Sequence, residues 1–114
     1  MLNKVADNSY QFAVNVRESF TYTLDFEGQC VIIDYYCKTD NYHYSSSKKF
    51  YDYCGANLVE PKDYDVLAKI VYQSIQMYLN TNVISGSTRR AFLDFQQQLC
   101  ALYNNFNLAQ MLIV

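Results

Sequence analysis

A single histidine, His43, and four cysteines, Cys30, Cys37, Cys54 and Cys100, are the residues from which most familiar catalytic or metal sites would have to be built. Cys37, His43 and Cys54 offer two thiolates and an imidazole, ligand types that zinc prefers. Their spacing, C-x5-H-x10-C, matches no common zinc pattern, and a fourth ligand would have to come from Cys30, Cys100 or a carboxylate. The simpler expectation is four buried thiols acting as small apolar groups, with His43 in an exposed loop. Nucleophilic catalysis meets the same restriction. Any Cys–His or Ser–His–Asp set must use His43, and nearness of Asp40 and Ser45 in sequence does not make a triad. Three scattered glycines cannot build a phosphate-cradling loop; neither G-x-G-x-x-G nor G-x-x-x-x-G-K-[ST] occurs. The expectation is therefore no enzyme, no metal and no cofactor.

Two other groupings suggest binding rather than catalysis. Ser85-Gly86-Ser87-Thr88-Arg89-Arg90 places hydroxyls and two guanidiniums at an expected helix start, where free backbone N–H groups attract anions. It is the basis of an alternative reading, a small anionic-ligand or phosphate-binding protein. The plainer account is a serine cap with both arginines paired to acids. The second grouping interleaves carboxylates with phenols: Tyr35 and Tyr36 beside Asp34, Tyr42 beside Asp40, Tyr51-Asp52-Tyr53, and Asp63-Tyr64-Asp65. Tyrosine brings large contact area at low entropy cost and is favoured at interfaces. These residues are the expected partner-binding set.

Composition narrows the partners. The chain of 114 residues carries 9 Lys and Arg against 11 Asp and Glu, a net charge of −2. Its bases do not cluster beyond pairs, so non-specific nucleic-acid binding and membrane-surface binding are not expected. Residues 1–65 carry 10 acids and 6 bases, whereas residues 66–114 carry one acid and three bases, so the N-terminal half is the acidic one. The segment MLNKVADNSY lacks a signal-peptide pattern and no apolar run is long enough to span a bilayer. A cytoplasmic location is expected, in a host cell if the protein is viral. Twelve Tyr, no Trp and 18 Asn plus Gln suit an AT-rich genome, as in phages and mobile elements.

The elements that must position these groups are readable in outline. Tyr10, Phe12, Val14 and Val16 alternate with polar residues, as do Phe20, Tyr22, Leu24 and Phe26, and Val31, Ile33 and Tyr35. Turns are expected at Arg17-Glu18-Ser19 and Glu27-Gly28-Gln29. Residues 38–60 read either as a fourth strand through Tyr42-His43-Tyr44 or as a short helix over Lys48–Cys54, capped by Ser47 and ended by Gly55; the helix is preferred. A helix from Pro61 to about Asn80 is apolar around most of its circumference, with a polar stripe of Lys69, Gln73, Gln76 and Asn80. A second helix, roughly Thr88 to Asn105 with Ser87 as cap, carries the stripe Phe92, Phe95, Leu99, Leu102 and Phe106. Its opposite face holds Gln97, Gln98, Asn104 and Asn105, with Asp94 the only charge. The uncharged tail Leu108–Val114 must be covered as a strand, a helix extension or an interface.

The resulting expectation is one α+β domain over residues 1–114, an N-terminal antiparallel β-meander of three or four strands packed on a C-terminal αα-hairpin. Its apolar excess points to a homo-oligomer, such as a homodimer, and a protein partner. The function expected is a non-enzymatic protein-binding module, of the kind a phage or mobile element encodes to inhibit a host defence protein or nuclease.

Overall fold

The computed structural model describes residues 2–113. Five strands form one antiparallel sheet in the order of the chain: β1 (Asn3–Ala6), β2 (Ser9–Ala13), β3 (Glu18–Asp25), β4 (Cys30–Cys37) and β5 (Tyr42–Lys49). A short helix α1 (Tyr51–Cys54) leads to α2 (Tyr64–Thr81) and α3 (Gly86–Ile113). The class is the expected α+β meander on a helical hairpin, with five strands rather than three or four. The additional strand β1 pairs with β2 through an irregular register between Lys4 and Ala6.

The period of two in the sequence decides which side of the sheet is dry. Tyr10, Phe12, Phe20, Tyr22, Leu24, Val31, Ile33 and Tyr35 all face the helices, because Tyr10 pairs with Tyr22 and Tyr22 with Ile33. The other face carries Gln11, Ser19, Thr21, Thr23, Ile32, Asp34 and Tyr36, mostly hydroxyls and amides that tolerate water.

Phe92 and Phe95 of α3 pack on Phe12, at ring-centroid distances of 4.9 and 4.7 Å, and Phe92 on Phe20 at 4.6 Å. Ser74 of α2 shares a 2.6 Å hydrogen bond with Tyr22 at the sheet centre. So α3 lies over β2 and α2 over β3 and β4. Helices sit roughly 8–10 Å apart and strands about 4.8 Å, so two helices cannot roof five strands. The side of β5 that faces the helices, Tyr44, Ser46 and Lys48, is left open.

Several boundaries move from the expected ones. Residues 38–60 contain both alternatives, β5 and then a helix. Ser47 therefore sits in β5, the cap position of α1 is Phe50, and Gly55 ends α1 with φ +72° as expected. The first turn spans residues 14–17, so Glu18 and Ser19 already belong to β3. Pro61 lies in the turn before α2 rather than in its first turn, and Asp63 occupies the cap position. Ser85, not Ser87, caps α3: its Oγ accepts from the Thr88 N–H at 3.2 Å. The apolar tail extends α3 as helix through residues 108–113; Val114 lies outside the described residues. No helix among the described residues is long and apolar enough to cross a membrane.

Candidate partner-binding surface

The residues with catalytic potential are kept apart. His43 stands on the water-facing side of β5, not in a loop, and stacks on Tyr36 of β4 at 4.5 Å. Cys37 is at the same end of the sheet but reaches towards Asp40, with Sγ 3.8 Å from Oδ2. Cys54 is in α1 at the opposite end of β5 and donates to the Phe50 carbonyl at 3.3 Å. Cys30 is buried and the other three cysteines are partly buried, all four as free thiols. Burial pushes the Cys100 thiol up, which favours its neutral form. Among the described residues, no three His, Cys, Asp or Glu side chains gather closely enough to hold a metal ion.

The start of α3 has its groups engaged locally. Ser85 Oγ lies 2.9 Å from Thr88 Oγ1 and 3.2 Å from Ser87 Oγ. Arg89 does not reach outward: Nη2 donates to the Leu79 carbonyl at 3.3 Å and so caps the end of α2. That bond supplies the compensation a guanidinium needs at a helix N-terminus. Arg90 is exposed and lines a shallow recess with Ser87, Asp94 and Asn3. Gly86 is the first helical residue.

The acidic and aromatic residues divide between the two ends of the molecule. Along α2, Ser74 meets Tyr22 and Tyr78 meets Phe20, so α2 runs from the Asp25 end of β3 towards the Glu18 end. Tyr35, Tyr36 and Tyr42 stand at the Glu18 end, while Tyr51, Asp52, Tyr53, Asp63, Tyr64 and Asp65 stand at or beyond the other. At the first end the pleat splits neighbours: Tyr36 faces water, and Tyr35 turns inward to donate 2.5 Å to Glu18 Oε1. That bond, with a second from Asn15 Nδ2, holds the Glu18 carboxyl below its ordinary range. Tyr42 is exposed beside Tyr35, and together with Tyr44, Tyr78, Val83 and Ile84 they line an open groove of about 460 Å³.

At the second end the apolar tail takes the helix-extension alternative. Tyr64, the first residue of α2, packs against Tyr103 and Phe106 of α3 at 6.1 and 5.1 Å. Beyond Phe106, α3 continues for two turns with no helix to lie on. Phe106, Leu108, Met111 and Leu112 are exposed, the last two by 67% and 86%. The stripe expected through Phe106 is thus covered only as far as Tyr103. Asp52 and Asp65 are exposed at this same end, as is Tyr51 of α1, whereas Tyr53 turns partly into the core. Burial pushes the Tyr53 phenol up to about 12. This exposed apolar end of α3 and the exposed Tyr51, Asp52 and Asp65 lie at the same end of the molecule. No protein-family model, curated protein or solved structure matches this chain.

Proposed function

We propose that this chain is a non-enzymatic binding module that acts by occupying a surface of a larger protein partner. The observation that carries the reading is the projecting end of α3. Soluble proteins rarely leave a cluster such as Leu108, Met111 and Leu112, which share one helix face at i, i+3 and i+4, in water unless something covers it. Amphipathic helices commonly enter an apolar groove on a partner, and the carboxylates of Asp52 and Asp65 favour a groove rimmed by Lys or Arg. Exposed Tyr51 and the first turn of α2, with Asp63 and Tyr64, extend the same surface. At the opposite end, Tyr35, Tyr36 and Tyr42 sit too far away to join it and belong to a separate surface. The composition makes host nucleases and defence proteins the partners to try first, with inhibition by occupancy as the effect.

Affinity capture with the wild-type chain, followed by reconstitution with the purified captured protein, tests this reading. A 1:1 complex should weaken at least about tenfold when Met111→Glu and Leu112→Glu are combined, because two anchors become charges. Asp52→Asn with Asp65→Asn should mainly slow association and reduce its salt dependence. A complex indifferent to both pairs of changes sinks the assignment of this surface. Turnover of a substrate that is lost on His43→Ala sinks the non-enzymatic reading as a whole.

A further inference from the structure

The two edges of the sheet are built differently. β1 has four residues and an irregular register, which blunts it as a template. β5 has eight residues in unbroken register with β4, and the helices leave its flank uncovered. Phe50 N–H donates to the Gln29 carbonyl at 2.8 Å, continuing the β4–β5 register. In an antiparallel ladder hydrogen-bonded pairs alternate, so the even residues of β5 bond to β4. The odd residues, His43, Ser45, Ser47 and Lys49, point their N–H and C=O groups outward.

We propose that the β5 edge pairs antiparallel with the β5 edge of a second copy about a two-fold axis normal to the sheet. A two-fold in that direction keeps the helical side of both sheets together, so paired residue numbers must add to an even number. Only a total of 92 pairs all four outward-facing residues: His43 with Lys49, and Ser45 with Ser47, each pair occurring twice. Ser46 then faces its own copy on the axis, and Tyr44 lies opposite Lys48. Charge selects this arrangement. The lysines occupy one end of β5 and the aromatic rings the other, so self-pairing sets each ammonium against a ring rather than another ammonium. The open flanks of the two copies join into one trough walled by both α2 helices. Met77, whose Sδ lies 3.0 Å from Lys48 Nζ, and Tyr78 stand on those walls. The surface used for pairing is separate from the α3 projection.

Sedimentation equilibrium of the full chain should give a dimer. Ser45→Pro removes an N–H that points away from β4, so far-UV circular dichroism should be unchanged while dimer dissociation rises about a hundredfold. Ser47→Pro should behave the same way. Ser46→Cys should oxidise to a covalent dimer whose 46–46 link is found by peptide mapping, and Ser45→Cys should not. A wild-type chain that stays monomeric at high concentration overturns the proposal, as would capture of a strand from another protein only. A dimer that persists in folded Ser45→Pro and Ser47→Pro variants overturns it as well.

Discussion

Two buried phenols make opposite demands. Tyr22 donates to Ser74 Oγ, which in turn donates to the Val71 carbonyl at 3.1 Å, so every polar atom of that chain is satisfied. Tyr103 Oη is buried near the Tyr10 hydroxyl without a hydrogen bond of good geometry. Removing a satisfied hydroxyl costs about 1 kcal/mol, whereas removing an unsatisfied one costs little or stabilises. In urea denaturation, Tyr22→Phe should therefore lose about 1 kcal/mol, and Tyr103→Phe should be neutral or more stable. If Tyr103→Phe proves the costlier change, its hydroxyl has a partner in solution. Burial pushes both phenols up from the ordinary value of 10, and Tyr53 to about 12. A raised folded value contributes stability that is fully present below about pH 10 and is lost above it, as the unfolded chain releases protons first. Absorbance at 295 nm and far-UV circular dichroism should report the last phenols ionising together with unfolding. Glu18 works in reverse. Its lowered value contributes stability above pH 4.5 that fades as pH falls through the folded value.

At the level of elements, legibility followed burial. β2, β3 and β4 were readable because one face of each is dry, which imposes a strict alternation. β1 was not, since all four of its residues are exposed and no alternation is required of it. β5 was ambiguous for a related reason: YHYSSSKK is exposed on nearly all positions and carries serines and lysines of low strand propensity. The same rule explains the acidic-aromatic set. Adjacent Tyr35 and Tyr36 in a strand must face opposite ways, so their grouping by sequence distance could not survive folding. The α3 tail could be flagged but not assigned among strand, helix extension and interface, because an apolar stretch looks alike whether or not a neighbour covers it. Element-level changes should sort by these contexts. Phe92→Ala, which empties the junction of Phe12, Phe20 and Tyr78, should cost about 3–5 kcal/mol in thermal or urea melts. Gly55→Ala should cost about 1–2 kcal/mol, because φ +72° strains any side chain even with open space around it. Equal losses from the two would show that the aromatic junction can collapse around a vacancy.

For the whole molecule, the outer surfaces should be nearly decoupled from stability. Met111→Glu with Leu112→Glu should shift stability by less than about 0.5 kcal/mol, since both side chains are largely exposed. A large loss in that double variant would mean that the projection is held against the body of the same chain. One property of the architecture has a kinetic consequence. Every strand pairs with its sequence neighbour, and the two long helices form a hairpin of their own. Bringing such partners together closes only short loops, so little chain entropy is lost before contacts form. The halves can assemble separately, and the step that joins them is the burial of Phe12, Phe20 and Tyr22 under α2 and α3. Folding should therefore be fast for a sheet protein, and stopped-flow mixing should place its rate nearer that of small mixed α/β domains than that of β-sandwiches, whose strands must first find distant partners.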